Sequence, residues 1–156
     1  MKYYNALIDT KKCVDCGLCT KVCPRENDND MSKPKWWYQG WADSEIREHA
    51  SSGGAASAII RAFIKNGGYV ASCLFDSGKF VFEVTNEMAV ARKFAGSKYV
   101  KSNPEKIYGK IQSLLKANQK VLFIGLPCQV AAVNQFIKDK TNLVTQAVGL
   151  FATHMN

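Results

Sequence analysis

The sequence predicts an α/β protein, with α+β as the neighbouring class, and three observations carry the prediction. An almost wholly apolar run, Lys120-Val-Leu-Phe-Ile-Gly125, passes without a linker into a helical pattern that starts at Pro127. A second apolar segment, Leu143 to Phe151, follows that helix. Strand, helix and strand make a crossover unit with parallel strands, right-handed by the general rule. Upstream, Tyr69 to Phe75 and Phe80 to Thr85 alternate about Asp76-Ser-Gly-Lys79, the pattern of a β-hairpin.

Taken from the N-terminus, four of the six cysteines fall in Cys13-Val-Asp-Cys16-Gly-Leu-Cys19-Thr-Lys-Val-Cys23-Pro24. The C-x2-C-x2-C-x3-C-P spacing is that of bacterial 4Fe-4S ferredoxins, where thiolates two residues apart wrap corners of a cubane in one tight loop. Gly17 gives that loop backbone freedom, and N–H groups aimed at the sulfides stabilise the charge gained on reduction. Structural zinc would call for a second C-x2-C knuckle beyond a longer spacer, or for histidines. A disulfide framework would call for an oxidising compartment, and the sequence suggests neither. In two-cluster ferredoxins the fourth cysteine of a run serves the other cluster, and here there is one run. The fourth ligand is therefore either Cys23 or a remote thiol, Cys73 or Cys128. Cys73 lies in a strand-like segment and reads as buried and inert. Residues 1–35 thus form a small ferredoxin-like cluster segment whose linker, Arg25 to Pro34, is polar and aperiodic; residues 36–156 form the α/β domain.

Trp36, Trp37, Tyr38 and Trp41 open that domain and are expected to pack the cluster lobe against it. Asp43 to Ala50 is a short helix. Ser51-Ser-Gly-Gly54 then opens an amphipathic one, with Ile59, Ile60, Phe63 and Ile64 on its apolar side and Asn66-Gly-Gly68 as its stop. Hydroxyls and two glycines at a helix start suit a phosphate, and they suit a plain N-cap as well. Gly96 to Val100 is a loop or strand start. Pro104 begins the next helix, capped by Ser102 or Asn103, with Ile107, Ile111, Leu114 and Leu115 toward the core. In the helix after Pro127, the buried stripe is Val130, Val133, Phe136 and Ile137. Parallel sheets bind ligands beyond the carboxyl ends of their strands, which makes Gly125 to Gln129, and Cys128 above all, a candidate site.

Lys and Arg number 21 against 13 Asp and Glu, a formal charge of +8. Lysines such as Lys93, Lys110, Lys120 and Lys138 are scattered, without the dense block of a nucleic-acid binder, so no nucleic acid is expected. The charge suits a solvated face, an acidic redox partner or a phosphate-bearing cofactor. No apolar run approaches the roughly 18 residues that span a bilayer, and no signal-like stretch precedes Cys13; the expectation is a cytoplasmic protein. His49 and His154 read as ordinary polar residues.

Three segments, Trp41-Ala-Asp-Ser-Glu-Ile-Arg-Glu-His-Ala-Ser-Ser-Gly-Gly54, Gly96-Ser-Lys-Tyr-Val-Lys-Ser102 and Val121-Leu-Phe-Ile-Gly-Leu-Pro-Cys-Gln-Val-Ala131, resemble in order and spacing the coenzyme F-420 hydrogenase/dehydrogenase beta-subunit family. The resemblance implies an iron–sulfur flavoprotein oxidoreductase subunit that relays electrons between a 4Fe-4S cluster, FAD and a deazaflavin coenzyme, ferredoxin or similar acceptor. It makes Ser52, Gly53 and Gly54 contacts of the FAD phosphates, sets Ser97, Lys98 and Tyr99 near the flavin, and puts Pro127, Cys128 and Gln129 beside flavin or cluster. Cys13, Cys16, Cys19 and Cys23 hold the metal; Lys98 and Cys128 are the candidate catalytic groups, Lys98 as a cation for the pyrophosphate or the reduced ring. Many members carry two cysteine runs; Leu126 stands where Thr is common, and Ala152 where Cys is frequent. The likeness is to the N-terminal part of a member, so the chain is expected to be truncated, and to act as a subunit of a larger complex or a homo-oligomer. The competing expectation is a 4Fe-4S electron carrier without flavin or substrate site; a third is a zinc-bound interaction domain.

Overall fold

The computed structural model describes residues 11–17, 20, 36, 38–98, 102, 104, 107–138 and 140–147. Cys19, Cys23, the 25–34 linker, Trp37, Tyr99, Asn103, and the strand extension through Phe151 with Ala152 and His154 lie outside the described residues.

The elements are α1 (Ser44–Arg47), α2 (Ala55–Lys65), β1 (Tyr69–Asp76), β2 (Lys79–Thr85), α3 (Met88–Ala91) running into a 3-10 turn (Arg92–Phe94), α4 (Ile107–Lys116), β3 (Val121–Gly125), α5 (Pro127–Phe136) and β4 (Leu143–Ala147). The four strands form one mixed sheet in the order β2-β1-β3-β4. β1 and β2 pair antiparallel from Val70↔Thr85 to Asp76↔Lys79, while β3 is parallel to both β1 and β4. The expected α/β class, hairpin and parallel crossover are all present.

Local chemistry sets the boundaries. α2 ends in a Schellman motif: the Gly68 N–H donates to Phe63 O at 3.0 Å and the Gly67 N–H to Ile64 O at 2.9 Å. Gly67 sits at φ 77°, and a Cβ on Gly68 would fall 2.2 Å from the Phe63 ring, so both glycines are demanded. Asn118, at φ 58°, closes α4 the same way. The hairpin turns on Ser77 and Gly78, both at positive φ, between the paired Asp76 and Lys79, which matches the strand twist.

Alternate strand residues feed two cores. Ala71, Val121 and Phe123 face Ile107 and Ile111 of α4 and Val133 of α5, with Phe82 stacked on Phe123 at 5.6 Å between centroids. Val70, Leu122 and Ile124 face Ile60 of α2, Ala91 of α3 and Phe94. Helices therefore cover both faces, and each Val, Leu, Ile or Phe side chain fully buried there contributes about 1.5–3 kcal/mol. Two expected core positions turn outward: Ile59 is 40% exposed and Phe136 is 46% exposed, the latter leaning on Tyr108. α5 buries only the narrow stripe of Val133 and its C-cap Ile137, with Val130 partly covered. Helix α3 has no counterpart in the sequence reading, being only four residues long. The helix expected from Pro104 is described from Ile107, whose N–H donates to Pro104 O. Trp36, Tyr38 and Trp41 are 76%, 90% and 72% exposed rather than packed.

Candidate cofactor site

Cys13 and Cys16 are both exposed free thiols. Between and after them the backbone enters the left-handed region twice, at Asp15 (φ 52°) and Gly17 (φ 67°). Such reversals turn successive N–H groups toward one side, as a loop around an anionic cluster requires, so the described half of the run fits a 4Fe-4S centre. Cys73 is half-buried on β1, on the same side as Phe82, with its thiol directed at Leu74 O. Cys128 is exposed on the first turn of α5.

The short turn from Lys65 to Tyr69 makes α2 antiparallel to β1, so its N-terminus lies toward the carboxyl end of that strand. Gly54 caps α2 at φ 76° with no side-chain bond, leaving the first-turn amides to face a ligand or water. The two glycines also have packing reasons. A Cβ on Gly54 would meet Ala42 at 3.1 Å and Ile46 at 3.3 Å, and one on Gly53 would meet Gly40 O at 3.4 Å. Ser52 is exposed. Its neighbour Ser51, which the sequence reading left without a role of its own, accepts a hydrogen bond from the Ser97 N–H at 2.7 Å. That bond joins two of the three motifs.

Lys98 is used locally. Its ammonium donates to Phe94 O at 2.7 Å, Gly96 O at 2.9 Å and Ala95 O at 2.5 Å, with Lys93 O farther off at 3.4 Å. Burial pushes its pKa down, partly opposed by the Cys73 thiolate. The side chain thus gathers the carbonyls at the end of the 3-10 turn and fixes the chain direction before Ser97.

The third motif forms the β3–α5 turn. Pro127 occupies the first turn of α5, where its missing N–H costs nothing. Gln129 folds back, its Oε1 accepting from the Leu126 N–H at 2.9 Å while its Nε2 donates to Ser102 O at 3.3 Å. Gly125 is required by close approach: a Cβ would lie 2.8 Å from the Phe123 ring and 3.0 Å from Gln129 Oε1. Tyr108 at the start of α4 senses Cys128. Burial first, and the Cys128 charge second, push its phenol up from 10.0.

Two hydrogen bonds therefore join motif residues in pairs, Ser51 with Ser97 and Ser102 with Gln129. Sequence spacing gave no signal for Tyr108, and it marked Ser102 as a cap candidate and motif end without showing that its carbonyl meets Gln129. It also passed over a cleft of about 730 Å3 between α1, α2 and α3, lined by Ile46, Ser57, Ile60, Arg61, Arg92 and Lys93 among others.

Known proteins share parts of this picture. The family model for a 4Fe-4S binding domain matches residues 4–25. The chain is 27% identical over 141 residues to the uncharacterized protein MJ1349 of Methanocaldococcus jannaschii, covering 84% of this chain and 39% of that protein. In fold it is similar to a chain of the F-420-reducing NiFe hydrogenase complex from Methanosarcina barkeri, with TM-score 0.52 and 20% identity over 62% of this chain and 34% of that one. The chain thus spans well under half the length of either. Among the described residues no helix is long and apolar enough to cross a membrane. What stands is a 4Fe-4S binding segment joined to an α/β sheet domain whose fold is similar to part of a hydrogenase complex.

Proposed function

We propose that the chain is an iron–sulfur flavoprotein oxidoreductase subunit of the coenzyme F-420 hydrogenase/dehydrogenase beta-subunit kind, relaying electrons between a 4Fe-4S cluster, FAD and a deazaflavin coenzyme, ferredoxin or similar acceptor. The observation that carries it is the Ser97 to Ser51 hydrogen bond, which joins two motifs of that resemblance in a chain whose residues 4–25 match a 4Fe-4S binding domain. A cluster supplies one-electron exchange and a flavin couples such steps to two-electron chemistry.

The residues divide the work. Cys13, Cys16, Cys19 and Cys23 are the thiolates of the cluster segment, residues 1–35. In the domain, residues 36–156, Ser52, Gly53 and Gly54 offer the start of α2 to phosphates, and Ser97, Lys98 and Tyr99 border the ring. Pro127, Cys128 and Gln129 close the site from the β3–α5 turn, with the exposed Cys128 thiol as the group for contact with the cofactor. The +8 charge suits docking of an acidic partner within a cytoplasmic complex or homo-oligomer.

One observation favours the flavin-free electron carrier instead. Gly54 is accounted for by packing on Ala42 and Ile46, and the Lys98 ammonium by backbone carbonyls, so neither residue needs a flavin to explain it. Anaerobic purification decides: iron, acid-labile sulfide and heat-released FAD in one folded protein support the flavoprotein, whereas iron and sulfide without FAD sink it in favour of the carrier.

A further inference from the structure

β2, Lys79-Phe-Val-Phe-Glu-Val-Thr85, is the outermost strand of the sheet and pairs with β1 on one side only. In a hairpin with a two-residue turn the flanking pair, here Asp76↔Lys79, is hydrogen-bonded, and bonded pairs alternate from there. The N–H and C=O of Val81, Glu83 and Thr85 therefore point at β1, and those of Phe80, Phe82 and Val84 point away from it. The strand is mostly aromatic or β-branched and holds neither Pro nor Gly. Such an edge is a template on which a further strand can form.

Glu83 closes part of that edge. Its Oε1 accepts from the outward Val84 N–H at 3.2 Å and from the Lys110 ammonium at 3.3 Å. Phe82 and Val84 lie on the α4 side of the sheet, so Glu83, between them, leaves the strand on the α2 side. Lys110 belongs to α4. The carboxylate has thus folded around the margin of the sheet, over an amide that a neighbouring strand would need. An ion pair whose side chains are 41% and 55% exposed adds little stability by itself, so its position is the informative feature. Among the described residues no other group meets the outward N–H groups of β2.

The occupant that this contact excludes is β2 of a second copy. Phe82 is the midpoint of the strand, so two copies related by a two-fold axis there overlap along its whole length in antiparallel register. Phe82 then stands opposite itself, and each Val84 stands opposite the other copy's Phe80, exchanging N–H and C=O bonds with it. Glu83 occupies the Val84 N–H, and by symmetry it removes one bond at each end of that ladder. In the same register Glu83 would also have to leave Lys110 and lie against the other copy's Val81, an apolar side chain 37% exposed. We propose that Glu83, held by Lys110, guards the free edge of β2 against pairing with the same strand of a second copy, leaving assembly of the chain to other surfaces. The guard is independent of which cofactors the chain carries.

Sedimentation velocity of the full chain with its cluster, run anaerobically over a range of concentrations, tests this on the natural sequence and on Glu83→Val. The variant is expected to dimerise through β2, self-associating about tenfold more tightly or better than the natural chain. Glu83→Gln keeps an oxygen for the Val84 N–H and should stay close to the natural chain. Adding Val81→Lys to Glu83→Val places a cation on the edge and should reverse the dimerisation. Lys110→Ala frees the carboxylate without altering β2 and should act in the same direction by a smaller factor; it decides the matter if thermal unfolding shows Glu83→Val to be unfolded. Association unchanged in Glu83→Val and Lys110→Ala overturns the guard. A dimer that survives Val81→Lys overturns the β2 edge as its surface.

Discussion

Ser51 and Ser97 stand 46 positions apart in the chain and meet through a single hydrogen bond, the Ser97 N–H donating to the Ser51 hydroxyl at 2.7 Å. The loop before α2 and the loop after the 3-10 turn are one structure because of it. Ser52, next in sequence and the more obvious candidate for ligand binding, has no part in that tie.

Replacing Ser51 by Ala is expected to cost about 0.5–1 kcal/mol, the net worth of one neutral hydrogen bond near solvent. Ser51→Thr keeps the hydroxyl and should retain most of it, and Ser52→Ala should change unfolding little. Urea unfolding of the three variants checks the ranking; equal losses for Ser51→Ala and Ser52→Ala would show the tie to be unimportant.

Two glycines should respond to alanine with opposite signs. At Gly125 the new methyl would press on Phe123, which is 0% exposed and stacked on Phe82, so a loss of about 1–3 kcal/mol is expected. At Gly109, inside α4 with nothing within 4 Å of a Cβ, the same change should stabilise by about 0.5–1 kcal/mol. Denaturant midpoints read both.

Leu126 caps α5 without a polar side chain, although Gln129 already supplies the return half of a capping box. Leu126→Thr completes the box and should gain about 0.5–1 kcal/mol, less whatever apolar cover is given up at a side chain already 39% exposed. Thermal unfolding of the variant gives the sign directly.

The phenol of Tyr108 has a folded pKa raised above its ordinary 10.0. Above pH 10 the unfolded chain gives up this proton while the folded chain keeps it, so the folded state binds more protons. Its contribution to stability is complete below pH 10.0 and is lost as pH climbs through the folded value. Tyr108→Phe should flatten that part of the alkaline decline, seen by comparing unfolding free energies at pH 9 and pH 11. An identical decline in both proteins would assign it elsewhere.

For the cluster, Cys13→Ser and Cys16→Ser are expected to lose iron and acid-labile sulfide together. Cys23→Ser should do the same, and Cys128→Ser should retain both. The reverse pattern for the last two makes Cys128 the fourth ligand.

Period and punctuation revealed most of the fold. The unbroken apolar run of β3, the alternation of the hairpin and the Asn66-Gly67-Gly68 stop each reflect a local physical requirement, and each element stands where that requirement put it. Ile59 and Phe136 misled because helical spacing marks an apolar side without saying how wide a neighbour covers it. α3 escaped notice because four residues are too few to show a period. At the site, Gln129 and Ser102 each stood in a motif, yet their pairing could not be read, since it runs through a backbone carbonyl that leaves no trace in composition. Arg92 and Lys93 were hidden among scattered basic residues until three helices placed them at one cleft.

The span from Ser97 to Ser102 is anchored at its two ends to different layers of the molecule. Ser97 holds to the loop that starts α2, on one face of the sheet, and Ser102 holds to Gln129 of α5, whose Val133 packs on the other face. Each bond thus ties this stretch of chain to one side of the sheet, so a variant at Ser51 and one at Gln129 release it from opposite sides.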